Sequence, residues 1–114
     1  MPTFEQGDII KVPFPYTNSP TRQSRPALVV SAASGNDTSS LLWVVMVTSA
    51  ENRGWPGDVA LADLSGTGLP APSLVSTAKI ATIEAHDATR LGRVEPGVWA
   101  EVMVRVAERL GMAV

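Results

Sequence analysis

The chain has 114 residues, with nine lysines and arginines against eleven aspartates and glutamates for a formal net charge of −2, and no cysteine. That length suits one domain with a single core, whose modest stability a partner subunit would raise. The charge excludes a protein that coats nucleic acid non-specifically, a mode that needs many cations to displace phosphate counterions, and the missing cysteines exclude a disulfide framework and thiolate metal sites.

In chain order, a first strand is expected over residues 8–12, where Ile9, Ile10 and Val12 are β-branched and Pro13 and Pro15 then rule out a helix. Phe14, Pro15 and Tyr16 lead into a polar loop. A second strand is expected over 25–31, because Pro26 holds Arg25 extended and residues 27–30 are continuously apolar, as in a buried central strand. Gly35-Asn36-Asp37 supplies turn chemistry for a hairpin into a strand over 41–49. A loop across 52–58, a short strand over 59–61, a Gly/Pro-rich loop across 66–72 and a strand over 73–83 follow.

Glu95-Pro96-Gly97 then opens an amphipathic helix, about 98–112, in which Val98, Val102, Val106 and Leu110 recur at helical spacing beside Trp99 and Met103. Short strands joined by Gly/Pro turns and closed by one helix predict a mainly β domain over residues 1–114. The expected architecture is a strongly bent antiparallel sheet, a small SH3-like barrel with a C-terminal helix. The longest apolar run, 41–47, is strand-sized and not membrane-spanning, and Glu5 and Asp8 near the start do not fit a secretory leader. A cytoplasmic protein is expected.

Several side chains are candidates for chemistry. Arg25 is held extended and faces the long polar loop. Thr48 and Ser49 end the most apolar strand, either as ordinary strand-end polarity or as donors placed at a cleft. Trp55-Pro56-Gly57-Asp58 is turn chemistry whose tryptophan either caps the core or stacks a base, and Tyr16 poses the same choice at the first loop. Lys11, Arg22, Arg25, Arg53 and Lys79 offer a local basic patch. His86, the sole histidine, sits in a polar turn and reads as a surface residue, so with no cysteine a dedicated metal site is not expected.

The run Gly7-Asp8-Ile9-Ile10-Lys11-Val12-Pro13-Phe14-Pro15-Tyr16-Thr17, taken with Ser24-Arg25-Pro26-Ala27-Leu28-Val29-Val30-Ser31, Val47-Thr48-Ser49-Ala50 and Trp55-Pro56-Gly57-Asp58-Val59, resembles the PemK/MazF family of toxin endoribonucleases. The resemblance runs from about Gly7 to about Val94. It implies a homodimeric toxin of a type II toxin–antitoxin module, without cofactor or metal, that cuts single-stranded RNA at a short sequence and leaves a 2′,3′-cyclic phosphate or 3′-phosphate and a 5′-hydroxyl. It implies Arg25 as the catalytic arginine and Thr48 as the hydroxyl that holds the scissile phosphate, with RNA contacts from Tyr16, Ser49, Arg53, Trp55 and Lys79. An antitoxin whose acidic tail lies across the RNA groove is implied too, with DNA reached only through that antitoxin.

One strand departs from the family pattern. Where some relatives carry an arginine, an aspartate and a further arginine, this chain has Ser76, Ala78 and Ala81, so no carboxylate general base comes from that strand. Two alternatives stay open: a non-enzymatic toxin that inhibits DNA gyrase, because the same fold serves relatives of that kind, and, from these departures, a catalytically degenerate dimer that still binds the antitoxin.

Overall fold

The computed structural model describes residues 4–14, 23–31, 41–51, 54 and 56–112. Among these, β1 (Asp8–Phe14), β2 (Gln23–Val29), β3 (Leu41–Ser49), β4 (Val59–Leu61), β5 (Ser73–Glu84), β6 (Thr89–Arg93) and α1 (Pro96–Arg109) follow in chain order, with a 3-10 turn, Ala85–Asp87, between β5 and β6. The strands form one antiparallel sheet in the order β4-β5-β3-β2-β1-β6. It curls into a half-barrel with the helix at its C-terminal end, as the mainly β reading expects.

The central strands are buried on both faces, which is why they read as unbroken apolar runs and not as alternation. On one face Ile9, Leu28, Val45, Val47 and Val75 meet Val102 and Val106 of α1. On the other, Ile10, Val12, Ala27, Val29 and Val44 pack with Ala81, Ile83 and Phe4. Each fully buried branched side chain contributes about 1.5–3 kcal/mol, and the two clusters together hold β1, β2 and β3 in register.

The helix starts at Pro96, where the missing N–H would have had no partner in the helix anyway. It ends in a Schellman closure: the Gly111 N–H donates to the Glu108 carbonyl at 3.1 Å and the Met112 N–H to the Ala107 carbonyl at 2.9 Å. Gly111 takes φ +72°, which a residue with a side chain resists. The helix therefore stops short of the expected 98–112 span, and Leu110, expected on its apolar face, is the exposed C-cap.

Two other expectations need correction. β2 begins and ends two residues earlier than 25–31, because Gln23 pairs with Phe14 and the ladder closes when the Val30 and Ser31 N–H groups both turn to the Trp43 carbonyl. Arg25 is thus the third residue of the strand and not its first. β6 has no counterpart among the expected strands: its sequence, TRLGR, carries no alternation, and its register against β1 slips between Ile9 and Ile10.

β4 and β6 are the two edges of the sheet, and the segment between β4 and β5 crosses from one to the other. It turns where the Thr67 N–H and hydroxyl both donate to the Leu64 carbonyl, at 3.1 and 2.8 Å. The Gly66 carbonyl then accepts from the Arg93 N–H of β6 at 2.8 Å. A Cβ on Gly92 would run into Gly66 O and the Thr67 backbone, and a Cβ on Gly68 into the backbone of Leu91. The sheet is closed here by backbone lying on backbone.

A second tie anchors the start of β1. Asp8 is buried; its Oδ2 accepts the Glu5 N–H at 2.9 Å, while its Oδ1 lies 3.5 Å from Arg90 and 3.6 Å from Arg93. Arg93 also donates to Glu5 at 2.9 Å and to the Gln6 carbonyl at 3.1 Å. The hydrogen bond and charge of Arg93 hold the Glu5 carboxyl below its ordinary value.

Gly92→Ala is expected to lower stability by at least the 1–3 kcal/mol typical of overpacking, because the obstructing atoms are backbone and cannot swing away; a urea melt reads this as a lower midpoint. For Glu5, whose pKa is depressed in the folded state, the stabilisation is present above the unfolded carboxylate value and is lost as pH falls through the folded one. The difference in urea midpoint between wild type and Glu5→Gln should accordingly narrow from neutral to strongly acidic pH, and a constant difference would show that the Arg93 contact does not act through charge.

Candidate functional site

The β2–β3 ladder pairs Ala27 with Met46 and Leu28 with Val45. Two residues beyond the last paired rung, the same register continued leads to Arg25 and Thr48, two positions far apart in sequence that line one groove. Arg25 is opposite the buried Val12 of β1, and Thr48 is opposite Leu74 of β5. A guanidinium and a hydroxyl are thus placed beside apolar neighbours. Both are half-buried, so each is partly desolvated and still reachable.

The groove measures about 270 Å³ and is lined by Arg25, Pro26, Val47, Thr48, Ser49 and residues 69–73. Its far wall is the last part of the crossing segment, where Pro70 and Pro72 fix the backbone. The wall is tied down by the Ala50 N–H donating to the Pro72 carbonyl at 3.0 Å and the Ser73 hydroxyl donating to the Ala71 carbonyl at 2.9 Å. Ser49 Oγ accepts the Glu51 N–H at 3.3 Å, which orients the hydroxyl at the rim. The sequence reading took residues 66–72 for a connecting loop; the proline pair was the one local sign that it is a stiff wall.

Arg25, Thr48 and Ser49 are therefore brought together. Lys79 is not: it is exposed in the stretch Thr77-Ala78-Lys79 that bulges out of β5 where its pairing with β3 slips between Val45 and Met46, and it does not line the groove. Lys11 follows on β1 the alternation that puts its neighbour Val12 opposite Arg25, so it belongs to the other face. Tyr16, Arg22, Arg53 and Trp55 lie outside the described residues. Among the described residues Arg25 is the one cation that lines the groove, it takes part in no ion pair, and no carboxylate lines the groove with it.

Ser76 and Ala81, two of the three departures on β5, are buried, Ser76 opposite Met46 and with no hydrogen bond to its Oγ. A larger cavity of about 570 Å³ lies between the Gly7 turn and the start of α1, but its arginine, Arg93, is already bound by Glu5 and Gln6. The group suited to a cation among the described residues is Glu84, His86 and Asp87, all exposed at the end of β5, with His86 Nε2 3.3 and 3.4 Å from the two carboxylates. It is not part of the groove. No helix among the described residues is long and apolar enough to cross a membrane.

A site with one guanidinium and adjacent hydroxyls, and no carboxylate among its described lining residues, suits an anion with several oxygens, such as phosphate. Known proteins share the fold. A MazE–MazF complex from Deinococcus radiodurans is 28% identical over 99% of this chain and 100% of that one, with a TM-score of 0.76. A crystal structure of MazF from the same organism is 25% identical over 98% of this chain and 100% of that one, TM-score 0.77. A mycobacterial endoribonuclease bound to its cognate antitoxin is similar over 100% of this chain and 99% of that one with a TM-score of 0.74, but at 22% identity this likeness speaks to the fold alone. No match was found among curated protein sequences. The sequence itself matches the family described as PemK-like, MazF-like toxin of type II toxin–antitoxin system over residues 5–111, and with nearly the whole length covered the chain belongs to that toxin family.

Proposed function

We propose that the chain is an endoribonuclease toxin that cleaves single-stranded RNA by transesterification in the Arg25/Thr48 groove. The observation that carries this reading is the groove itself: an arginine with no ion pair among the described residues and a threonine hydroxyl lining the same groove, in a chain of the MazF-like toxin family. In the proposed step the ribose 2′-oxygen attacks the adjacent phosphorus and the bond to the 5′-oxygen breaks. The products are a 2′,3′-cyclic phosphate and a 5′-hydroxyl. Arg25 meets the charge that develops on the phosphorane with two parallel donors, and Thr48 donates to a non-bridging oxygen. With no carboxylate on the described walls, the attacking hydroxyl passes its proton to water or to phosphate oxygen, and the departing 5′-oxygen takes one from Arg25 or water.

Groups that suit phosphate are poor ligands for a divalent ion, which favours carboxylate and carbonyl oxygens, so the reaction is proposed to run without metal. Tyr16, Ser49, Arg53, Trp55 and Lys79 are proposed to hold the flanking nucleotides. An antitoxin is the proposed inhibitor, as relatives from Deinococcus radiodurans are held in complex with MazE. The proposed dimer has support in an apolar strip on one face of β3 and β5, where Leu41 is 48%, Trp43 56% and Ile80 45% exposed, an unusual amount of surface for side chains of that size.

Purified protein is expected to cut a long mixed-sequence RNA with EDTA present, leaving 5′-hydroxyl ends. Arg25→Ala should cut at least about 10²–10³ more slowly while keeping its melting temperature, and Arg25→Lys nearly as slowly, since a point charge lacks the bidentate geometry. Strict dependence on a divalent ion would overturn the mechanism, and total inactivity of a folded protein that still binds antitoxin would favour the degenerate dimer.

Trp43→Glu should convert a dimer to a monomer in sedimentation equilibrium, and a variant that remains dimeric would place the interface elsewhere.

A further inference from the structure

Thr67 is 2% exposed and does not line the Arg25 groove, yet one end of the groove wall hangs on it. Its hydroxyl is used twice, donating to the Leu64 carbonyl at 2.8 Å and accepting the Leu69 N–H at 3.2 Å. The first bond closes the turn whose glycines lie on β6, and the glycines on either side of Thr67 both take φ +74°. The second fixes Leu69, the first residue of the wall, which is buried in the same cluster as Val47 and Val75. Beyond Leu69 the wall has few ties of its own, because Pro70 and Pro72 have no N–H to donate. Its other anchors lie at the far end, where the Ala50 N–H meets the Pro72 carbonyl at 3.0 Å and the Ser73 hydroxyl meets the Ala71 carbonyl at 2.9 Å. One buried hydroxyl thus joins the closure of the sheet to the leading end of the wall.

We infer that Thr67 is a positioning residue for the reaction in the Arg25 groove: it touches no substrate, and its hydroxyl sets where the wall stands relative to the guanidinium. The inference rests on the reading of that groove as the RNA-cleaving site. Without the hydroxyl the buried Leu69 N–H loses its acceptor, a costly state that the segment relieves by shifting until the N–H is paired again. Leu69 cannot shift without moving Pro70 and Ala71, so the wall leaves its place opposite Arg25. A bound phosphate is then held less well in line for attack, and a misplacement of about 1 Å costs up to about 10²-fold in rate. Arg25 and Thr48, which hold the phosphate, keep their own strand positions. The loss therefore falls on kcat more than on KM.

The test compares three full-length variants with wild type on a synthetic RNA oligonucleotide, each below its melting temperature. Thr67→Val keeps the side chain's shape and removes both hydrogen bonds, whereas Thr67→Ser keeps both and removes a buried methyl group. Phe4→Leu lowers stability from the other cluster, away from the wall. Thr67→Val should lower kcat at least about tenfold with KM within about threefold of wild type. Thr67→Ser should restore kcat to within about threefold of wild type, and Phe4→Leu should keep the wild-type rate, although both melt earlier. In hydrogen exchange the Leu69 amide should lose protection in Thr67→Val and keep it in Thr67→Ser, and the Arg25 Nε–H resonance should move in Thr67→Val alone. Wild-type kcat in Thr67→Val, an equal loss in Thr67→Ser or Phe4→Leu, or an unmoved Arg25 resonance would overturn the assignment. A wild type that cuts no RNA would count against the nuclease reading by itself, since Leu69 exchange and the Arg25 resonance still decide whether Thr67 sets the wall.

Discussion

The site depends on how the sheet is closed. The segment leaving β4 reaches across to β6, where Gly66, Thr67 and Gly68 lie directly on the backbone of Leu91, Gly92 and Arg93, and on its return it becomes the wall opposite Arg25. Backbone packed on backbone tolerates no added carbon, so glycine at 68 and 92 is a steric requirement. Because the wall and the closure are one segment, the width of the groove is set by contacts made on the other side of the sheet. A change at β6 would therefore be felt at the phosphate site.

Within that frame the chemistry needs little charge. A half-buried guanidinium with apolar neighbours interacts with an anion through a lower effective dielectric than water provides, so one cation can serve where a surface patch would need several. This reconciles a net charge of −2 with a proposed polyanionic substrate: the grip is local and geometric, not a long-range field. The same economy makes the arginine's position important, and that position is fixed by the pairing of Arg25 with Val12 on β1.

The two faces of the curled sheet divide the work. One is covered by α1 and forms the larger cluster with Val102 and Val106, whose Val47 and Leu69 also line the groove, while the other carries the second cluster. The helix leaves its outer flanks available, with Arg105 and Arg109 on one side of it and exposed Val104 elsewhere on its surface.

By itself the sequence determined the elements whose residues speak locally. β3 and β4 lie where expected, over 41–49 and 59–61, because β-branched apolar runs between turn residues have few other conformations. The family was legible too, since the Arg25-Pro26 and Val47-Thr48-Ser49 stretches are short contiguous motifs. Tertiary structure alone decided the rest. β6 exists because Gly92 can be packed against, a property of its partner and not of its own pattern; α1 stops where Gly111 can adopt a left-handed turn that the apolar periodicity does not record. Lys79 stands away from Arg25 because β5 bulges between two rungs, and a bulge changes which residues are neighbours without changing any propensity. Arg25 and Thr48 meet only through the register of β2 on β3, and register is set by both buried faces of the sheet at once.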